Sequence, residues 1–103
     1  MTMGVGGALM EALEVDKQIG FFVNHDLAGY EVPVHADIPH QEVIFLDEVD
    51  RFSSPMKAKG IGELGLCGVA AALANAVYNA TGVRVREYPV TLDKLIDKLP
   101  QVA

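Results

Sequence analysis

Apolar residues at helical spacing open the chain, in the segment MTMGVGGALMEALEVD, and predict an amphipathic helix. Four of them share one face of this helix: Val5, Leu9, Ala12 and Leu13. Gly4, Gly6 and Gly7 interrupt the pattern, and each glycine costs about 1 kcal/mol relative to alanine in a helix interior. Either the helix begins near Gly7, or the glycines allow another group to approach the backbone closely.

The middle of the chain carries β-strand signals separated by loops. KQIGFFVN predicts a short strand or hairpin arm around the turn-forming Gly20. HDLAGYEVPVHADIPH has two prolines and little periodicity, so we expect an ordered loop there. QEVIFLDEV is the clearest strand, because β-forming residues 43–46 are flanked by charges. A loop of turn residues follows, DRFSSPMKAKGIG, and later VRVREYPV predicts an extended arm.

Two helices are predicted in the second half. ELGLCGVAAALANAVYNATG predicts a helix from Glu63 to Ala80, apolar on nearly every side and ending at Gly82. Such a helix needs protein on all sides, and we expect missing sequence or another subunit to supply it. Thr91 is a suitable N-cap for LDKLIDKL, a short amphipathic helix with an apolar face. That face consists of Leu92, Leu95, Ile96 and Leu99.

Strands and helices do not alternate strictly along the chain, which favours the α+β class. The predicted fold has a buried alanine-rich helix, a few short strands and a C-terminal amphipathic helix. No internal repeat interrupts this order.

Composition and charge argue against several kinds of function. The formal charge is −6 and the eight basic residues are scattered, which does not suit a nucleic-acid backbone. A single cysteine excludes an internal disulfide and a cysteine-based metal cage. The three histidines lack the i, i+4 spacing of a helical zinc site, so we predict no metal ligands in the chain.

Targeting and membrane signals are weak. The first fifteen residues carry Glu11 and Glu14 and no basic n-region, so we do not expect a signal peptide. Residues 64–82 come closest to a membrane span, but glycine, alanine and two asparagines dominate them. We expect a cytoplasmic protein, or a periplasmic one if a partner subunit carries it across the membrane.

Glu63 is the only charged side chain between Gly60 and Tyr78. In one interpretation it lies in the first turn of a helix, where the dipole favours a carboxylate by about 0.3–1 kcal/mol. In the other, Gly60 and Gly62 leave room for a bulky ligand, and the carboxylate is a general base that stays ionised near neutral pH. Lys59 could then hold a phosphate or another anionic group. Local chemistry alone favours the stabilising role.

The order of segments resembles the C-terminal end of the large, molybdenum-binding subunit of the xanthine dehydrogenase and aldehyde oxidase family. The resemblance covers nearly the whole chain and is most specific in KGIGELG, the alanine-rich helix after it and the closing R-x-x-P-V-T-x-x-K-L pattern. The other matching segments are TMGVGGALMEALEVD, NHDLAGYEVPVHADIP and EVIFLDE.

The resemblance implies roles for several residues. Glu63 matches the glutamate that is the catalytic base beside the molybdenum, where it takes a proton from a hydroxide ligand of the metal. Lys59, Gly60, Ile61 and Gly62 resemble the loop that lies against the pterin cofactor. MGVGGAL, with Gly4 and Gly6, resembles the end of a glycine-rich segment that contacts the pterin.

The resemblance also implies the reaction and its components. The full-length enzyme would hydroxylate an aldehyde or N-heterocycle oxidatively at a molybdopterin cofactor. Its electrons would leave through iron–sulfur clusters and FAD on partner subunits or domains. Residues 1–103 would be the C-terminal part of the molybdopterin-binding domain, truncated on its N-terminal side. We expect the 103 residues alone to bind no cofactor, to be inactive and to self-associate.

Some residues depart from the family pattern. Gly29 and Glu31 stand where an acid and a base are expected around the tyrosine, and Met56 and Lys57 replace an aliphatic residue and a glycine. Cys67 falls on the alanine-rich helix, where we expect it to pack rather than to be a reactive thiol. The alternative to a hydroxylase fragment is a stand-alone assembly module that kept this fold and lost the chemistry.

Overall fold

Short elements separated by long irregular segments make up the computed structural model, which describes residues 1–99. In chain order the elements are helix α1 (Thr2–Leu9), strands β1 (Val15–Asp16) and β2 (Phe21–Phe22), 3-10 turns at His35–Asp37 and Leu64–Leu66, and helices α2 (Val69–Thr81) and α3 (Asp93–Ile96). Helices together with a two-stranded sheet over residues 1–99 agree with the predicted α+β class.

Helix α1 begins at Thr2 and runs through all three of its glycines. Gly4 and Gly6 are buried, and a Cβ atom at Gly4 would lie 2.6 Å from Cβ of Val69 in α2. At Gly6 it would lie 2.7 Å from Cδ of Pro33. The glycines therefore allow close approach to the backbone, and the helix does not begin near Gly7. The predicted apolar face is wrong beyond Leu9, where the helix ends.

The predicted hairpin around Gly20 is confirmed. Strands β1 and β2 pair antiparallel, with Val15 opposite Phe22. Gly20 has a φ of +68° and donates its N–H to the Asp16 carbonyl at 2.8 Å. The Asp16 carboxylate accepts the N–H of Gln18 at 2.8 Å, which closes the turn further. Residues 24–40 then form the expected loop, whose 3-10 turn spans His35–Asp37.

The strand predicted at QEVIFLDEV is wrong for this chain. Residues 41–50 contain no strand, turn or helix, and all four apolar residues at 43–46 are exposed. A strand is defined by hydrogen bonds to a neighbour, and residues 1–99 supply none here. β-propensity reflects how well a side chain fits a sheet surface, so it does not produce a strand without a sheet. Residues 83–90, the predicted extended arm, are likewise irregular.

Helix α2 starts later than predicted. Gly68, with a φ of +100°, separates the 3-10 turn Leu64–Leu66 from the first residue of α2, Val69. The predicted C-terminus is confirmed, because Gly82 adopts the left-handed conformation and donates its N–H to the Tyr78 carbonyl at 2.8 Å.

Residues 1–99 do not bury the alanine-rich helix, and its burial by missing sequence or another subunit stays a prediction. No residue of α2 is buried. Among the other elements, α1 packs against it, and Tyr88 donates its hydroxyl to the Ala70 carbonyl at 3.1 Å. Since one helix covers only one side, the remaining faces of α2 stay in solvent.

Residues Leu64–Thr81 are long and apolar enough for a membrane span by length and composition alone, with a mean hydropathy of 1.3 over 18 residues. The continuous part, α2, has 13 residues. It is therefore about 20 Å long, shorter than the roughly 30 Å hydrocarbon core of a bilayer.

Helix α3 is shorter than predicted, and its cap differs. It spans Asp93–Ile96 after Leu92, and its N-terminus has no side-chain cap. Thr91 contributes its carbonyl, which accepts the N–H of Lys94 at 3.1 Å, so the predicted Thr91 side-chain cap is wrong. A four-residue helix has little stability of its own, and the exposed Leu92 and Ile96 show that its apolar face lacks a covering surface.

The hydrophobic core is very small. Among residues 1–99, Ala8 and Val90 are the buried apolar side chains, and Val90 donates its N–H to the Ala8 carbonyl at 2.6 Å. The radius of gyration is 18.5 Å, whereas a compact domain of this length has about 13 Å. The accessible surface of 8689 Å² exceeds by about 3,000 Å² that of a compact monomer of this mass. The chain thus has less internal packing than an independent domain.

Candidate functional site

Glu63 lies on an exposed loop, directly before the 3-10 turn Leu64–Leu66. Its carbonyl accepts the N–H of Leu66 at 2.8 Å, while its carboxylate makes no capping hydrogen bond. Five residues separate Glu63 from Val69, the first residue of α2, so the predicted stabilisation in the first turn of that helix is wrong. Its backbone is fixed by the turn and its carboxylate faces solvent.

The glycines before Glu63 leave the loop backbone open. Gly62 has a φ of +48°, a conformation that favours glycine, and the Leu64 N–H binds the Ile61 carbonyl at 3.0 Å to close a turn. No heavy atom lies within 4 Å of a Cβ placed at Gly60 or at Gly62. A large ligand can therefore approach this backbone without displacing any part of residues 1–99.

Lys59 forms ion pairs with carboxylates of its own chain. Its Nζ lies 2.6 Å from Oε1 of Glu48 and 3.7 Å from Oδ2 of Asp50. The ammonium is thus engaged at the base of the loop formed by residues 50–59. Lys59 as a ligand for an anionic cofactor group stays a prediction, and such a role would need its ammonium to exchange partners.

Asp50 organises this loop. Its carboxylate accepts hydrogen bonds from the Ser53 hydroxyl at 2.5 Å and from the N–H groups of Phe52 at 2.8 Å and Ser53 at 3.0 Å. The Ser53 hydroxyl above all, then these N–H groups and Lys59, lower the pKa of Asp50. The carboxylate therefore stays ionised and holds the chain in a fixed turn ten residues before the glycine loop.

The structure brings the two predicted cofactor-contacting segments next to each other. Helix α1 packs against the 3-10 turn that follows Glu63, and a Cβ at Gly65 would lie 3.5 Å from Cγ of Met1. Gly4 and Gly6 themselves face Val69 and Pro33, so packing within the chain accounts for both. Their contact with a pterin stays a prediction.

The hydrogen bond between Tyr30 and Glu11 was not predicted from the sequence. The Tyr30 hydroxyl donates to Oε2 of Glu11 at 2.9 Å and ties the loop to the end of α1. The hydrogen bond to Glu11, burial and the negative charge of that carboxylate all raise the pKa of Tyr30. The two residues are nineteen positions apart and follow no periodic pattern, so sequence inspection had no signal for the pair.

One cavity is separate from the Glu63 loop. It has a volume of about 370 Å³ and lies between the hairpin and the following turn. Its lining residues are Leu13, Phe22, Asn24, His25, Asp26, Leu27 and Tyr30. Within residues 1–99, no group of three or more histidine, cysteine or acidic side chains has the arrangement of a metal site.

Comparison with known proteins gives several strong sequence matches. The chain is 78% identical over 102 residues, 99% of its length, to the aldehyde oxidoreductase molybdenum-binding subunit PaoC of Escherichia coli (strain K12). The resemblance to molybdenum-binding subunits is confirmed. The chain is also 37% identical over 95% of its length to the xanthine dehydrogenase molybdenum-binding subunit of E. coli O157:H7. No protein-family model matches the chain.

These relatives are far longer than the chain. It spans 14% of PaoC and 13% of the xanthine dehydrogenase subunit. It likewise spans 10% of the aldehyde oxidoreductase of Megalodesulfovibrio gigas, to which it is 33% identical over 96% of its own length. Most of the sequence of each relative therefore has no counterpart in these 103 residues.

The residues around Glu63 fit a large cofactor in two respects. The backbone at Gly60 and Gly62 is open to close approach, and the Glu63 carboxylate is exposed without a capping role. In this arrangement Lys59 does not fit as a ligand for an anionic cofactor group, because its ammonium is paired with the carboxylates of Glu48 and Asp50. Residues 60–63 could therefore contact a molybdenum cofactor from one side, with the other contacts made by sequence outside this chain.

Proposed function

We propose that the chain is the C-terminal segment of the molybdopterin-binding domain of a molybdenum hydroxylase, and that Glu63 is its catalytic base. The observation that carries the proposal is the position of Glu63 in a chain 78% identical to a molybdenum-binding subunit. There it lies in an open glycine loop, with a carboxylate that has no capping role. An acidic residue in the first turn of a helix usually stabilises that helix. Glu63 lies outside α2, so this role does not account for it.

In this proposal the chain's own residues would position the cofactor and accept a proton. The 3-10 turn after Glu63 fixes its backbone, and its exposed carboxylate would accept a proton as a general base. Gly60 and Gly62 would let the cofactor lie against the loop, because side chains there would keep it away. The molybdenum cofactor, when bound, supplies the redox chemistry.

The proposal extends to the rest of the enzyme. The substrate would be an aldehyde or an N-heterocycle, and the larger part of its pocket would come from sequence outside this chain. Iron–sulfur clusters and FAD would be held by partner subunits or domains. The isolated 103 residues, with one side of the site, would hold no cofactor and show no turnover.

Replacement of the base in the full-length polypeptide tests the proposal. Glu63→Gln keeps the shape of the side chain and removes its ability to accept a proton. We expect kcat for aldehyde oxidation to fall by about 100-fold or more, with molybdenum content unchanged. Glu87→Gln, another exposed glutamate, is the matched control and should retain the activity. Turnover above half of the wild-type value in Glu63→Gln would rule out the base assignment.

The second candidate function is an assembly module without chemistry. The large exposed apolar surface favours it, since such a surface suits protein contacts. The DNA sequence upstream of Met1 separates the two candidates. A reading frame that continues into molybdopterin-binding sequence supports the hydroxylase, and a ribosome-binding site with an in-frame stop codon before it supports the module.

A further inference from the structure

Residues 50–58 form a loop that closes on itself through hydrogen bonds. The Asp50 N–H donates to the Lys57 carbonyl at 3.2 Å, and the Lys57 N–H donates to the Ser54 carbonyl at 2.9 Å. The Ser54 hydroxyl donates to the Ala58 carbonyl at 3.0 Å. These bonds hold the end of the loop in place relative to its start, directly before the glycine loop that carries the candidate base.

Lys59, the next residue, adds a charged link to the start of the same loop. Its Nζ lies 2.6 Å from Oε1 of Glu48 and 3.7 Å from Oδ2 of Asp50. The Asp50 side chain is 15% exposed and accepts three hydrogen bonds, so it is a fixed partner for the ammonium. An isolated ion pair between mobile surface side chains contributes little, whereas a network of charges with a fixed member contributes more. The Lys59 ion pairs therefore restrict where the glycine loop begins.

Glu63 lies between these ion pairs and helix α1. On its C-terminal side, the 3-10 turn Leu64–Leu66 packs against α1. On its N-terminal side, no backbone hydrogen bond among residues 1–99 connects residues 60–62 to a segment outside the turn that Glu63 belongs to. The position of Glu63 therefore depends on the packed turn after it and on Lys59, four residues before it.

We infer that the ion pairs of Lys59 with Glu48 and Asp50 position the glycine loop and, through it, the carboxylate of Glu63. This inference rests on the proposed function, in which Glu63 is the base. The three charged residues are positioning residues, because they act through Glu63. A displacement of about 1 Å in a reacting group can lower a rate about 100-fold, so a contact four residues away can control turnover.

Short-pulse hydrogen–deuterium exchange of the full-length polypeptide tests this positioning without turnover. The reporters are the N–H groups that bind the Ile61 and Glu63 carbonyls. Lys59→Met removes the charge and keeps a long side chain, so a peptide covering residues 60–67 should exchange about 10-fold faster. Lys59→Arg keeps the charge and should exchange as the wild type does. Lys57→Met, at an exposed lysine two positions away, is the matched control and should also leave exchange unchanged.

Unchanged exchange of this peptide in Lys59→Met would overturn the inference. The measurement does not involve proton transfer by Glu63, so its outcome is separate from that of Glu63→Gln. Retained activity in Glu63→Gln would remove the base assignment, and faster exchange in Lys59→Met would still show that the ion pairs hold the loop.

Steady-state kinetics of the full-length enzyme tests the consequence for catalysis. Lys59→Met should lower kcat for aldehyde oxidation by about 10-fold, with KM and molybdenum content unchanged, because only the position of the base changes. Lys59→Arg and the Lys57→Met control should retain the activity. A wild-type kcat in Lys59→Met would contradict the inference. Loss of molybdenum in that variant would do so as well, and would make Lys59 a ligand of the cofactor.

A double substitution tests whether Glu48 and Lys59 act together. Glu48→Gln leaves Asp50 as a partner and should lower kcat by about 3-fold, the size expected for one exposed ion pair. In combination with Lys59→Met it should cause no further loss, because both changes break the same contact. Losses that multiply in the double variant would show that the two residues act independently and would overturn the inference.

Discussion

At the scale of single residues, the glycines of α1 have different surroundings on the same helix. Gly4 is in contact with Val69 of α2, whereas no heavy atom lies within 4 Å of a Cβ placed at Gly7. Because both lie in α1, a comparison of the two separates helix propensity from the close packing of helices. That packing places the 3-10 turn after Glu63 beside the start of α1.

Gly4→Ala and Gly7→Ala should therefore have opposite effects on stability. Alanine at position 7 gains helix propensity of up to about 1 kcal/mol. Alanine at position 4 places a Cβ 2.6 Å from Val69 Cβ, and overpacking of this kind costs about 1–3 kcal/mol. Thermal unfolding followed by circular dichroism, at one protein concentration, measures both. The same direction of change for both variants would contradict the packing seen between α1 and α2.

The contact between Glu11 and Tyr30 should be visible in a pH titration. The carboxylate raises the pKa of Tyr30 above its ordinary value, so the folded state favours the protonated phenol. The associated stability is fully present below the pKa of an unfolded tyrosine, about 10, and is lost as the pH rises through the folded value. In a tyrosinate absorbance titration, Glu11→Gln should shift one of the three tyrosines to lower pH. Identical titration curves for the variant and the wild type would show that the contact does not form.

At the scale of elements, the sequence predicted turns and helix ends that depend on neighbouring residues. It did not predict elements that depend on distant parts of the chain. The turn at Gly20 and the helix end at Gly82 depend on neighbouring residues, and both are confirmed. The strand at residues 43–46 depends on a partner strand, which residues 1–99 do not contain. The alanine-rich helix was predicted to start at Glu63, but Gly68 adopts a φ of +100° and interrupts it. The environment of Glu63 therefore required the structure, while its identity as the candidate base came from the family resemblance.

The left-handed conformation of Gly82 at the C-terminus of α2 can be tested by substitution. Gly82 has a φ of +73°, and an L-residue in that conformation costs about 1–2 kcal/mol. Gly82→Ala should lower the thermal midpoint of the chain and loosen the last turn of α2. Asn79→Ala, an exposed change in the same turn, should have a smaller effect or a stabilising one. If Gly82→Ala were as stable as the wild type, the left-handed cap would not be needed.

At the scale of the whole molecule, the 103 residues do not enclose their own apolar surface. Large hydrophobic side chains are exposed from the hairpin to α3, and the buried apolar side chains of residues 1–99 are Ala8 and Val90. Soluble monomers rarely expose apolar patches of more than a few hundred Å². The chain therefore needs neighbours, which agrees with its spanning 14% of the length of the subunit PaoC.

The packing of these 103 residues should depend on polypeptide outside them. Sedimentation velocity of the purified 103-residue chain, together with binding of a hydrophobic dye, tests it most directly. We expect species heavier than the 11.1 kDa monomer, and dye binding that increases when the chain is diluted into smaller species. A single compact 11.1 kDa monomer that binds no dye would show that the 103 residues pack without a partner.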